Sequence, residues 1–138
     1  MLTQPVRPIL IVEDNILTRT AVSSLLNMVG YVTTACRSAE EALVHLEAGH
    51  HPSLIILDIR LDGLMDGIAF RQVLLQDARF ARIPVVVYSA ADWPRIPRVV
   101  AQLRKTADPE VFLATVARAC RRGPGDGGAP APPDGDAA

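Results

Sequence analysis

Leu54-Ile55-Ile56-Leu57-Asp58 is a run of four aliphatic residues that stops on a carboxylate. Consecutive apolar side chains, with no polar residue alternating between them, suit a short strand covered on both faces. Ile9-Leu10-Ile11-Val12 has the same character and stops on Glu13-Asp14. Pro84 opens a third such run, Val85 to Tyr88, which stops on the hydroxyl of Ser89. Tyr31 to Ala35 reads as another strand, and Val99 to Leu103 as a fifth that ends just before Lys105.

Between these runs the pattern changes to a helical one. Leu17, Ala21, Leu25 and Met28 are spaced to share one face of a first helix, and Gly30 is placed to end it. Ser38 with Glu41 three residues later forms a capping-box pattern, followed by an apolar stripe of Ala39, Ala42, Leu43 and Leu46 and a terminating Gly49. A third helix uses Phe70, Val73 and Leu74. Asp108-Pro109-Glu110 is a strong helix start, with a capping carboxylate, proline at the first helical position and an acidic first turn. Leu113, Val116, Ala117 and Cys120 form that helix's stripe. Strands and helices that alternate, with wholly apolar strands, predict an α/β fold: a doubly wound parallel sheet with helices on both faces.

Composition narrows the class. The chain has 138 residues, 49% hydrophobic but only 4% aromatic, so its core is aliphatic. The boundaries expected are one domain over 1–122 and, from Gly123 to 138, a Gly/Pro/Ala/Asp tail too poor in apolar surface to order itself. No apolar run approaches the roughly 20 residues of a membrane span, and no basic-then-apolar leader opens the chain. A cytoplasmic protein without membrane insertion is expected. A net charge of −1 argues against broad, direct nucleic-acid binding. Cys36 and Cys120 lack metal-ligand spacing and are expected to be reduced, buried thiols. His45, His50 and His51 are expected to be solvated or capping residues near the end of the second helix. Arginine supplies thirteen of the fourteen cationic side chains, and Lys105 is the single lysine.

The polar residues at the strand ends belong together. In an open parallel sheet the loops after the carboxyl ends converge on one edge, which collects Glu13, Asp14, Asp58, Ser89 and Lys105. Taken singly, Glu13-Asp14 could cap the first helix, Asp58 could sit in an ordinary turn and Ser89 could cap a helix. Taken together, three carboxylates repel unless a cation lies among them, and oxygen ligands with room for water favour Mg²⁺. Asp58 then has the chemistry of a carboxylate nucleophile toward phosphorus. The metal and Lys105 can neutralise phosphoryl oxygens, and Ser89 can donate to one of them.

With Ile9-Leu10-Ile11-Val12-Glu13-Asp14-Asn15, Leu54-Ile55-Ile56-Leu57-Asp58-Ile59-Arg60-Leu61, Asp66-Gly67, Pro84-Val85-Val86-Val87-Tyr88-Ser89-Ala90 and Lys105 in this order, residues 7 to 122 resemble the receiver domains of two-component response regulators. The resemblance implies a five-stranded, flavodoxin-like receiver fold with Asp58 as phosphoacceptor. It also implies Mg²⁺ held by Glu13, Asp14, Asp58 and the backbone carbonyl of Arg60, with Ser89 as switch hydroxyl and Lys105 as the pocket lysine. The phosphodonor it implies is a histidine kinase or histidine-phosphotransfer protein. The expected role is a stand-alone, phosphorylation-switched partner-binding module, relay or sink that acts on an unknown downstream protein and catalyses only its own phosphorylation and dephosphorylation. A homodimer through the fifth-strand face, common in the family, stays open.

Four departures from the family pattern bear on output. The loop Arg60-Leu61-Asp62-Gly63-Leu64-Met65-Asp66-Gly67 lacks the usual proline and is one residue longer, with Gly63 and Gly67 supplying turn freedom. Arg60 lies two residues past the phosphoacceptor, where a guanidinium can pair with a phosphoryl group or obstruct water. Two prolines in Ala90 to Arg98 fall where the family has its fourth helix. Each costs roughly 3 kcal/mol in a helix interior, so that helix is expected to be shortened or irregular, with Trp93 either covering the core or meeting a partner. The aromatic usual before the lysine is missing, with Leu103 taken as the nearest inward residue, and Thr106 follows the lysine in place of proline. A degenerate receiver that binds a partner without phosphorylation is the alternative. An aspartate-nucleophile phosphatase is disfavoured because Arg60 stands where its second carboxylate belongs.

Overall fold

The computed structural model describes residues 7–90 and 95–122. Along them run β1 (Ile9–Val12), α1 (Ile16–Met28), β2 (Thr33–Cys36), α2 (Ala39–Glu47), β3 (Leu54–Leu57), α3 (Gly67–Leu75), β4 (Val85–Ser89), β5 (Ala101–Arg104) and α4 (Pro109–Arg122). The five strands form one parallel sheet in the order β2-β1-β3-β4-β5. Chain order reverses between β1 and β3, which opens a crevice at their carboxyl ends.

The sheet is covered on both faces, as its apolar strands require. Successive strand residues point to opposite sides. Leu10, Val12, Ile55, Leu57, Val85 and Val87 pack with α2 and α3 through Ala39, Ala42, Leu46, Phe70 and Leu74. Ile9, Ile11, Leu54, Ile56 and Val86 pack on the other side against Val22 and Leu26 of α1 and Phe112, Val116 and Ala119 of α4.

The inward face of α1 differs from the expected one. Val22 and Leu26 are buried, while Leu17 and Met28 are 78% and 82% exposed and Ala21 is exposed. The helix carries apolar residues on two faces, so spacing alone does not choose between them; packing on β1 and β2 does. In α3, Phe70 and Leu74 are buried as expected, but Arg71 takes an inward place and Val73 faces outward. In α4 the centre of the stripe is Phe112, Val116 and Ala119, with Leu113, Ala117 and Cys120 half-buried at its margin. Strands β2 and β5 begin two residues later than expected.

Local signals did fix several ends. Ser38 Oγ accepts from the Glu41 N–H at 3.0 Å, and Glu41 Oε1 accepts from the Arg37 N–H at 2.7 Å, one residue before the usual capping-box donor. Gly30 closes α1 at φ +102°, with its N–H donating to the Asn27 carbonyl.

Among the described residues no helix lies between β4 and β5. Residues 95–100 form a turn and extended chain with Ile96 buried and Arg98 at φ +63°, in the left-handed region. The Val100 N–H donates to the Val85 carbonyl at 2.8 Å, and the Ile96 N–H donates to Gln102 Oε1 at 3.0 Å. Register pairs Gln102 with Val87, so Gln102 and not Leu103 lies on the α2/α3 side; Leu103 pairs with Tyr88 and packs on the other. Trp93 and the chain from Gly123 lie outside the described residues. Cys36 and Cys120 are free thiols, and burial pushes Cys36 up to about 11. His45 and His50 stack, with ring centroids 4.3 Å apart.

Candidate functional site

Backbone bonds first lock the strand ends. The Asp58 N–H donates to the Val12 carbonyl at 3.1 Å, and the Glu13 N–H donates to the Cys36 carbonyl at 3.0 Å. The carboxylates leaving β1 and β3 are thereby set side by side. Glu13 and Asp58 are buried, at 3% and 5% exposure, and Asp14 is half-buried. One carboxylate oxygen from each of the three lies within 4.8 Å of the others. This all-oxygen donor set fits a hard divalent cation such as Mg²⁺.

Lys105 enters from the end of β5. Its N–H donates to the Ser89 carbonyl at 2.9 Å, which ties the lysine and the buried serine through the main chain. Its Nζ lies 2.6 Å from Glu13 Oε1 and 3.1 Å from Asp58 Oδ2. Burial alone would lower the ammonium's pKa, but its bonds to Glu13 and Asp58 and the charge of Asp58 outweigh that and leave it raised. Glu13 is also raised: desolvation of its carboxyl and the nearby Asp58 charge exceed the opposing pull of Lys105 and the Asn15 N–H.

Every other pocket carboxylate oxygen with a described partner is held by a loop N–H. Asp14 Oδ2 accepts from Asp62 at 2.9 Å, Asp58 Oδ1 from Arg60 at 3.1 Å, and Glu13 Oε2 from Asn15 at 3.0 Å. The N-cap of α1 is Asn15, whose Oδ1 accepts from the Thr18 N–H at 3.0 Å. Glu13 and Asp14 are thus excluded as the cap and left to the pocket. The Arg60 side chain is exposed at the rim.

The supporting roles of Arg19 and Tyr88 escaped the sequence reading, and that of Gly67 was read differently. Arg19, one turn into α1, donates from Nη1 to the carbonyls of Glu13 at 2.9 Å and Asp14 at 3.2 Å, fixing the acidic loop from behind. A cation five residues past the acidic pair was the available signal. Tyr88 donates from its hydroxyl to the Lys105 carbonyl at 3.3 Å and packs on Phe112. Gly67 is needed for close approach and not for turn freedom. Its N–H donates to the Ile59 carbonyl at 2.9 Å, and a Cβ there would lie 2.4 Å from the Asp58 carbonyl oxygen and 2.6 Å from Ile59 Cα. Gly63, at φ +110°, does supply the turn.

Sequence and structure comparisons place the fold among known proteins. Residues 9–116 match the family model described as the response regulator receiver domain. The chain is 37% identical over 84 residues to the polar-differentiation response regulator DivK of Brucella abortus, covering 61% of this chain and 67% of that one. It is also similar in structure to the N-terminal domain of a response regulator/sensory box/GGDEF 3-domain protein from Carboxydothermus hydrogenoformans. That match has a TM-score of 0.73 at 28% identity over 83% of this chain and 94% of that one. The chemotaxis protein CheY4 of Vibrio cholerae superimposes with a TM-score of 0.73 at 23% identity, over 83% and 99% of the two chains, a likeness of fold.

Proposed function

The chain belongs to the response regulator receiver domains, and on that premise we propose that it accepts a phosphoryl group on Asp58 from a histidine kinase or histidine-phosphotransfer protein. The observation that carries the reading is the Lys105 ammonium, which bridges Glu13 Oε1 and Asp58 Oδ2. A half-buried cation shared between two carboxylates marks the place where anionic phosphoryl oxygens would be neutralised. In the step itself a carboxylate oxygen of Asp58 attacks phosphorus, the donor's P–N bond breaks, and the histidine nitrogen leaves and regains a proton. The acyl phosphate is later hydrolysed by water, which returns the carboxylate and inorganic phosphate.

Glu13, Asp14, Asp58 and the Arg60 carbonyl are the groups that would hold Mg²⁺. The ion would supply charge neutralisation and in-line orientation of the phosphoryl group. Ser89 would donate its hydroxyl to a phosphoryl oxygen, and Arg19 keeps the acidic loop in place. Such a chain serves as a cytoplasmic, phosphorylation-switched binding module, relay or sink, with receiver chemistry confined to its own aspartate. Residues 1–122 form the receiver in this reading.

The test is acetyl phosphate with Mg²⁺, read by intact mass on the wild type and Asp58→Asn. One phosphoryl adduct on the wild type and none on the variant is expected. Absence from both overturns the reading. A second reading, partner binding that ignores phosphorylation, is favoured by one observation: the described segment 95–100 forms no helix, and Gln102, on the α2/α3 side of β5, accepts from the Ile96 N–H. Equal partner affinity with and without the adduct would select it.

A further inference from the structure

The connection between β4 and β5 is rich in positive charge. From Ala90 to Val100 the sequence has Arg95 and Arg98 against one carboxylate, Asp92, and Arg104 follows in β5. Beneath its described part lies another arginine. Arg71, on the inward side of α3, is 3% exposed at a place where its helix neighbours Phe70 and Leu74 are core residues.

Arg71 is a buried cation that is only partly satisfied. Its Nη2 donates a short hydrogen bond to the Arg98 carbonyl. Its Nε and Nη1 are buried with no hydrogen-bond partner. Among the described residues no carboxylate forms an ion pair with it, and the charge acting on it there is the like charge of Arg98. Desolvation first, and Arg98 second, lower its pKa to about 10, so it is still cationic at neutral pH.

A guanidinium offers only donors, arranged to match the oxygens of a carboxylate or of a tetrahedral anion. A group taken out of water has the most to gain from such a partner, because the surrounding dielectric no longer weakens the attraction. Arg98, held at φ +63° with its side chain exposed, adds a second positive group at the same corner. Methionine or leucine would fill the space without charge, whereas the guanidinium leaves two buried N–H donors without a partner.

We propose that Arg71 and Arg98 form an oxyanion site between α3 and the 95–98 segment, which takes one sulfate, phosphate or carboxylate group. This site is separate from the Asp58 pocket and does not depend on phosphoryl transfer there. The ligand is either a free inorganic ion or the acidic side chain of a peptide, and the two sources are separable.

The test follows the arginine Nε–H signals by ¹⁵N NMR, together with thermal melting, while sulfate replaces chloride at constant ionic strength. One Nε–H signal should shift saturably. The melting temperature should rise by about 5 °C for each tenfold excess of sulfate over its dissociation constant. Arg71→Lys should lose that signal and weaken the response at least roughly fivefold, as expected when a fork is replaced by a point charge. Asp58→Asn should keep both. A blocked Asp-Glu peptide that reproduces the sulfate shift assigns the site to a peptide partner; a response to sulfate alone assigns it to a free ion. The proposal is overturned if no Nε–H signal saturates, which would leave ordered water as the occupant. It is equally overturned if Arg71→Lys responds like the wild type, or if Asp58→Asn abolishes the response.

Discussion

Replacing Lys105 with methionine keeps most of the stem and removes the ammonium that lies 2.6 Å from Glu13 Oε1 and 3.1 Å from Asp58 Oδ2. At these separations each contact is worth on the order of 5–6 kcal/mol in gross Coulomb energy at an effective dielectric constant near 20. Part of that is already offset by the cost of desolvating the lysine. Removing one member of a buried pair typically costs about 3–5 kcal/mol because the remaining charge is left uncompensated. The lysine side chain keeps 19% of its surface exposed, which puts the expectation at the lower end, about 3 kcal/mol. For a domain of this size that is a fall of about 10 °C in melting temperature, measured by circular dichroism in EDTA near neutral pH. The deficit should narrow in acid. Glu13 has a raised pKa in the folded state, so its stabilising contribution is present below the ordinary value of 4.5 and is lost as the pH rises through the folded value. Without Lys105 the carboxyl is raised further, and its protonation relieves the repulsion over the same window. Mg²⁺ should stabilise the variant more than the wild type, since it no longer competes with the ammonium for Glu13 and Asp58. A variant that melts within about 2 °C of wild type in EDTA, with no change in the gap toward acid, would falsify the account of Lys105 as the pocket's resident cation.

Gly67→Ala drives a methyl group into the Asp58 carbonyl and Ile59 Cα; a loss of about 2–3 kcal/mol in urea denaturation is expected, and an unchanged midpoint would contradict the close approach. Ser38→Ala removes the acceptor of the Glu41 N–H and should cost about 1 kcal/mol by the same measurement. Arg60→Asn, at the exposed rim beside Asp58, should shorten the lifetime of the phosphoryl adduct roughly threefold, about 0.7 kcal/mol in the barrier; equal decay rates, followed by intact mass, would remove any role for the guanidinium in shielding the adduct.

What could be read from the sequence depended on how local its cause was. Strands β1 and β3 were read to the residue because four consecutive aliphatic residues that stop on a carboxylate leave little choice of edge. The cap at Ser38 and the stop at Gly30 rest on bonds within one turn of chain. The inward face of α1 was misread because Leu17, Ala21, Leu25 and Met28 give as good a helical spacing as Val22 and Leu26, and only the sheet beneath selects between them. The pocket residues were legible because parallel topology brings the carboxyl ends of β1, β3, β4 and β5 to one edge. Arg19 and Tyr88 were not, since both act by donating to main-chain carbonyls, and nothing in a residue's type announces which carbonyl will come within reach. Arg71 ran against the expectation that arginine lies at the surface. Gln102 was passed over for Leu103 because a shift of one residue in register exchanges the two faces of a strand.

Lys105 also makes the chain unusual toward covalent reagents. It carries the one ε-amine in 138 residues, and that amine is mostly buried, with its proton held between two carboxylates. An amine attacks an acylating reagent only in its neutral form, so a raised pKa makes Lys105 a slow nucleophile in the folded protein. Unfolding exposes it and returns it to ordinary reactivity. Acylation of this single position, followed by peptide mass mapping, therefore times the opening of the pocket with one chemically unique mark, and the same modification cancels the charge on which the pocket is built.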